Sequence, residues 1–326
     1  MRRRELIILL GGSAVVWPLA ARAQQSAMPV VGLLGSFSSN ERNTTAFNQG
    51  LKELGFVDGQ NVAIDYRYAE GHHDQLPGLA AELVRRPVAA IFATGGNGPA
   101  LAAKAATTTI PIVFESGGGD PVQAGLVASI NRPGGNITGI SIAQTAVLAK
   151  RFELLHQLVP KAETIGVLFN PSYPDAELQI RQVQDAAASI DCKIAVASAR
   201  TEDDFDAAFA ILVHRGANAL FVINDPYFSS LRGQIVALAA RYALPAAYFS
   251  RDFPAAGGLM SYGTDVAEAN RECANYIGRI LKGQKPADLP VVQLSKFELP
   301  INLKTAKTLR LTIPPNVLAL ADEVIE

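Results

Sequence analysis

Two cysteines, one tryptophan and four histidines in 326 residues leave this chain short of the groups that usually declare a chemistry. Cys192 and Cys273 are a single possible pair, and both sit in runs that read as regular structure (CKIAVAS and ANRECANYIGRIL), so two free, buried thiols are expected rather than a disulfide framework. The histidines show no metal-ligand spacing. The one cluster, His72-His73-Asp74, falls in a polar turn, so no metal site is expected. Basic excess is missing too: the formal net charge is −1, which gives no footprint for nucleic acid. Charged residues make up only 18% of the chain and hydrophobic ones 49%, a balance that excludes disorder and allows sizeable cores. The length suits about two domains.

Catalytic signatures are equally scarce. The chain has no G-x-S-x-G elbow and no G-x-x-x-x-G-K-[ST] phosphate loop. The dinucleotide pattern G-x-G-x-x-G is half met by Gly96-Asn97-Gly98, with Leu101 where the third glycine belongs and Pro99 inside it. Glu115 and Asp120 are five residues apart around three glycines, which fixes no acid–base geometry. No enzyme and no cofactor is expected.

What is present begins with residues 1–23. Three arginines, an apolar run from Leu6 to Val16 and Ala21-Arg22-Ala23 form the three regions of an export signal, with cleavage expected after Ala23. Arg3-Arg4 fits a twin-arginine signal, and an ordinary Sec signal fits equally. The run is too short and too interrupted by Gly11, Gly12 and Pro18 for a membrane span. No Cys lies near the cleavage point, so the expected product is a freely diffusing periplasmic protein and not a lipoprotein. Removing a segment with four Arg and one Glu lowers the net charge to −4.

Beyond it, short apolar runs alternate with longer amphipathic stretches. VVGLLG (30–35), NVAIDYRY (61–68), VAAIFA (88–93) and IPIVFE (110–115) read as strands, with helices at 41–54, 74–86 and from Pro99. A Gly-, Pro- and Asn-rich region (117–139) intervenes, and the rhythm restarts. Strands are expected at 164–170, 192–198, 218–224 and 244–249, and helices at 145–159, 175–189, 202–215, 227–242 and 265–282. This predicts an α/β protein of two doubly wound parallel-sheet lobes. The last 44 or so residues are too few for a third domain and must complete the other two. The expected lobes are 29–139 plus 263–288 and 140–262 plus 289–326, with the chain crossing between them several times and a cleft between them.

Ligands in open parallel sheets bind beyond the carboxyl ends of the strands. The loops so selected carry Ser36 and Phe37; Thr94, Gly95, Gly96 and Asn97; Glu115, Ser116 and Asp120; Asn170 and Tyr173; Asn224 and Asp225; and Tyr248. Tyr262 lies where the chain crosses between lobes, as a hinge residue, a ligand contact or both. Small hydroxyl and amide residues supply hydrogen bonds, and rings (with Tyr227 and Phe249 among them) supply an apolar wall. The free N–H groups of the Thr94–Asn97 helix start suit a carboxylate. Ser36, Thr94 and Ser116 add hydroxyls, and Glu115, Asp120 or Asp225 meets an ammonium group.

GFVDGQNVAIDYRYAEG (55–71), TGGNGPALAAKAATTTIPIVF (94–114), GGLMSYGTD (257–265), LKGQKPADLPV (281–291) and KFELPINLKTAKTLRLTIPPNVLALADEVIE (296–326) together resemble one family. It is the ABC-transporter substrate-binding proteins similar to the tryptophan/tyrosine-binding group, with a type I periplasmic-binding-protein fold. The resemblance covers essentially the whole chain beyond residue 23. It implies a monomer that traps a small carboxylate-bearing solute (an amino acid, or an aromatic or aliphatic acid) by hinge closure. Inner-membrane permease and ATPase subunits would be its partners. A periplasmic sensor subunit for a membrane receptor would look the same in sequence.

Overall fold

The computed structural model describes residues 28–37, 41–117, 120–142, 144–294 and 296–326. The export segment expected at 1–23 lies outside them.

The first lobe is built on β1 (Val30–Gly35), β2 (Ala63–Tyr68), β3 (Val88–Thr94), β4 (Ile112–Ser116), β5 (Ile137–Ile142) and β12 (Val292–Leu294). All six are parallel, in the order β12-β5-β4-β3-β1-β2. Helices cover both faces because side chains along each strand alternate. Val31, Leu33, Phe92 and Val113 meet α1 (Glu41–Glu53) and a long helix late in the chain, Val266–Leu281. Leu34, Ile91, Ala93 and Phe114 meet α2 (Leu76–Val84) and α3 (Asn97–Ala106).

Two expectations fail here. The Asn- and Gly-rich stretch before the second lobe holds a fully buried strand, β5, whose ITGISI run was hidden behind the turn residues preceding it. Residues 140–142 and 292–294, assigned above to the second lobe, pair with each other at the edge of the first sheet.

The second lobe repeats the plan. Its core strands are β6 (Thr164–Phe169), β7 (Lys193–Ser198), β8 (Ala219–Val222), β9 (Ala246–Tyr248) and β10 (Met260–Ser261). Its helices are α4 (Gln144–Leu158) and α5 (Ala176–Ser189) on one face, and α6 (Asp204–His214) on the other with α7 (Pro226–Ser230) and α8 (Arg232–Arg241). The helix expected at 227–242 is thus two helices, broken at Leu231 (φ −100°, ψ 16°). A short α9 (Asp252–Ala255) follows β9. The tail adds β14 (Pro300–Asn302), antiparallel to β10, and β15 (Glu323–Ile325) beside it, with α11 (Leu303–Thr308) and α12 (Pro315–Leu318) between.

In both sheets the first strand of the lobe lies between the second and the third, the arrangement whose switch point opens a crevice for ligands. The chain passes between the sheets three times: after β5, after β10 and after β12. At the second and third passages β11 (Gly263–Thr264) and β13 (Phe297–Glu298) form an antiparallel ribbon. α10 (Val266–Leu281) then returns to the first lobe, its amphipathic pattern facing α1. Gly50 permits that contact, because a Cβ there would lie 2.3 Å from the Arg271 carbonyl oxygen.

Cys192 and Cys273 are both free. Cys273 is buried as expected; Cys192 is only half-buried, next to the exposed start of β7.

Candidate functional site

A cleft of ≈ 950 Å³ opens at the carboxyl ends of both sheets. That is within the usual size range for small-ligand sites. From the first lobe it is lined by Ser36 and Phe37 after β1, by Thr94, Gly95 and Gly96 after β3, and by Glu115 after β4. From the second lobe come Tyr173, Asn224 and Asp225. Phe249, named above for the apolar wall, also lines it; Tyr227 does not.

Six expected residues do not line it. Tyr248 is fully buried in the core of the second lobe and stacks on Phe253 at 4.5 Å, because the β9 alternation aims it at the α8 side of the sheet. Asp120 is exposed and caps its own turn, accepting the Val122 N–H at 2.8 Å. Asn170 also holds a turn, accepting the Ser172 N–H at 2.9 Å. Ser116 is buried and donates to the Asn97 side-chain oxygen, so these two tie β4 to α3 behind the cleft wall. Tyr262 packs on Phe297 at the hinge ribbon.

The sequence reading missed the helix starts that face the cleft. Glu41, Arg42, Asn43 and Thr44 open α1, and Ser229, Ser230 and Arg232 flank the break between α7 and α8. Arg251, Asp252, Thr264 and Asn270 complete the hinge side. Their signal was positional: each follows a selected loop by a few residues.

The first-lobe wall is largely satisfied internally. Glu115 is buried, and its Oε2 accepts from the Thr94 hydroxyl at 3.0 Å and the Gly95 N–H at 3.1 Å. Burial raises its carboxyl above the ordinary range, and these two donors partly offset that. Gly95 (φ 90°) and Gly96 (φ 103°) adopt the left-handed backbone that the loop needs. Gly96 is also a seat for the opposite lobe: the Tyr173 hydroxyl lies 3.3 Å from where its Cβ would be. Phe37 and His73 of the first lobe meet Tyr227 and Tyr173 of the second at ring separations of 6.5 and 6.4 Å, so the walls touch along one edge.

The second-lobe wall is less settled. Asp225 is buried; its Oδ1 accepts the Tyr227 N–H at 2.6 Å, while Oδ2 makes no hydrogen bond of ordinary geometry. Burial pushes its carboxyl up to about 6, against the pull of the Tyr227 N–H and the Asn170 side chain. Asn224 is clamped on three sides. Its N–H and carbonyl bond the Gln179 amide at 3.0 Å each, and its side-chain oxygen accepts from Arg151 at 2.8 Å. Arg151 is fully buried, sits 4.5 Å over the Phe221 ring and makes no ion pair among the described residues. Desolvation pulls its guanidinium down to about 9.

Three buried oxygens on the cleft lining, Ser36 Oγ, Asp225 Oδ2 and Thr264 Oγ1, lack a hydrogen-bond partner among the described residues. Buried polar atoms are rarely left so outside functional sites.

Comparison with known proteins places this geometry. A curated tyrosine-binding protein of Clostridioides difficile (strain R20291) is 28% identical over 271 residues, covering 83% of this chain and 77% of that one. The crystal structure of an ABC domain in complex with L-Trp from Streptococcus pneumoniae superposes with a TM-score of 0.80 at 26% identity. A conserved domain protein of Vibrio cholerae does so at 0.82, also at 26% identity. Each covers 91% of this chain and 99% of the other. The family model for ABC transporter substrate binding proteins matches residues 36–325, which takes in every strand after β1, the hinge ribbon and every cleft residue named above. With two lobes, three crossings and a ligand-sized cleft at the switch points, the chain belongs to the ABC transporter substrate-binding protein family.

Proposed function

We propose that this protein captures a zwitterionic amino acid with an aromatic side chain and delivers it to an ABC importer. The three unpartnered oxygens on the cleft lining carry this reading, since they ask for a small polar guest that both lobes grip. An ammonium group completes Asp225 and the Ser36 hydroxyl. Phe37, Tyr68, Tyr173 and Phe249 flank the cleft with rings that match a flat apolar side chain. The tyrosine- and tryptophan-binding relatives support the same class of guest.

The mechanism is hinge closure. A ligand touching both lobes stabilises the closed form by its differential affinity for that form, and the closed form docks on an inner-membrane permease driven by its ATPase. The expected export signal would place the chain in the periplasm. A micromolar Kd corresponds to about −8 kcal/mol. Burying one ring supplies only about 1.5–3 kcal/mol, so polar contacts from both walls must add to it.

The test is isothermal titration of protein stripped by unfolding and refolding, against L-tryptophan, L-tyrosine, L-phenylalanine and L-leucine. Saturable heat from the aromatic set with a weaker response to leucine is expected. No heat from any of the four would remove the reading.

A further inference from the structure

An amino acid has a carboxylate to place, and the Thr94–Asn97 loop expected to hold it has already committed its nearest donors. The Thr94 hydroxyl and the Gly95 N–H both go to Glu115, and the resulting acidic surface disfavours a second carboxylate. Asn97 accepts from Ser116 behind the wall.

The cleft lining contains three arginines: Arg42, Arg232 and Arg251. Arg42 pairs with Asp265 at 2.8 Å. Arg251 is held between Glu298, at 3.2 Å, and Glu323. Arg232 makes no ion pair among the described residues. Its Nη1 donates to the Ser229 carbonyl at 3.0 Å, which anchors one end of the guanidinium. The residue is half-buried, on the cleft, beside Ser229 and Ser230, which also line it. The break at Leu231 sets this group at the start of α8, one short helix beyond Asp225.

We infer that Arg232 is the carboxylate-reading residue of the cleft, with Asp225, one short helix before it, reading the ammonium. A guanidinium anchored by one bond to backbone still has a planar edge for bidentate pairing with a carboxylate. The α-carboxylate and α-ammonium of an amino acid branch from one carbon, so a cation and an anion carried on a single helix–turn–helix segment match its head group. Both would come from the second lobe, leaving the first lobe to close over the side chain and to add the Ser36 hydroxyl to the ammonium. This inference rests on the amino-acid reading above.

The test titrates wild-type protein, Arg232→Gln and Arg232→Lys with three probes: L-tryptophan, tryptamine (no carboxylate) and indole-3-propionate (no ammonium). Thermal melts of the unliganded variants check folding, and a half-buried surface side chain predicts unchanged melting. Arg232→Gln should weaken L-tryptophan and indole-3-propionate by about 30-fold and leave tryptamine unchanged, with Arg232→Lys in between. Wild-type affinity of Arg232→Gln for L-tryptophan would overturn the role of Arg232 and spare the amino-acid reading. An equal loss on all three probes would also overturn it, since a carboxylate reader has no business with tryptamine. Failure of wild-type protein to bind any of the three would sink both.

Discussion

The two walls of the cleft are built from equivalent strand ends, yet they differ in how far they satisfy themselves. Glu115 on the first wall has two donors of its own lobe, and Ser116 and Asn97 close on each other. Asp225 on the second wall has one bonded oxygen and one unbonded, and Arg232 has only a backbone anchor. Burial raises both carboxyls, and Asp225 also carries a fully buried oxygen without a partner among the described residues. The two walls divide the work: the first mainly shapes the space and leaves Ser36 Oγ open, and the second supplies most of the contacts that a guest completes.

The most disruptive way to break this comparison is Gly50→Val. Its Cβ collides with the backbone of Arg271, prying α1 from α10, so a loss of about 3 kcal/mol is expected in chemical denaturation. The damage belongs to the first lobe, and hydrogen exchange should show the second-lobe core still protected. Next in size, Gly96→Val places a branched side chain at φ 103° against the Tyr173 hydroxyl. Ligand affinity should fall by about 100-fold as the closed form is lost, a drop equivalent to about 2.7 kcal/mol. Wild-type affinity would mean that the Gly96–Tyr173 contact plays no part in closure.

The carboxyl pair gives the sharpest contrast. Asp225→Asn should cost about 30-fold in affinity for an amino acid, whereas Glu115→Gln, which keeps an acceptor for Thr94 and Gly95, should cost under about 5-fold. Reversed magnitudes in titration calorimetry would assign the ammonium to the first wall. The two also separate by pH. Asp225 has a folded pKa above its unfolded value, so in the free protein its ionised form opposes folding. Its contribution favours folding more as pH falls from above 6 towards 4. An ammonium partner reverses this by pulling the pKa down. Binding near pH 6 should therefore release a proton, seen as a dependence of binding heat on buffer ionisation enthalpy, and affinity should weaken below pH 6. Asp225→Asn should abolish both effects. The smallest expected change is Tyr248→Phe. Its hydroxyl makes no hydrogen bond among the described residues and faces the core, so stability should stay within about 0.5 kcal/mol and affinity should not move.

Most strands from VVGLLG to LPAAYF were legible because they are apolar runs between turn residues, which is what a strand covered on both faces requires, and NVAIDYRY was legible by its alternation. β5 was not, because its ITGISI run begins directly after a glycine-rich turn and contains a glycine of its own. That glycine has a packing cause: a Cβ at 139 would lie 2.1 Å from the Phe114 carbonyl oxygen. The rule that ligands sit beyond strand ends found Ser36, Thr94, Glu115, Asn224 and Asp225 on the cleft. The same rule cannot say whether the last residue of a strand faces the cleft or the core, which is where Tyr248 was lost. Nor can it see Arg42 or Arg232, because an arginine in a helix reads as an ordinary solvated face until its neighbours are known.

The strand β12 pairs in the first sheet and the helix α10 packs on its face, yet both lie beyond residue 265. An emerging chain that stops at the end of β5 has every other part of its first lobe but leaves bare the face that Ala269, Cys273 and Ile277 come to cover. The lobe begun first is therefore completed only after strands β6 to β10 of its partner have been made, and the partner in turn waits for β14 and β15. Completion of the two halves is interleaved rather than sequential, and a chain cut short anywhere between β6 and β10 lacks the closing elements of the first lobe as well.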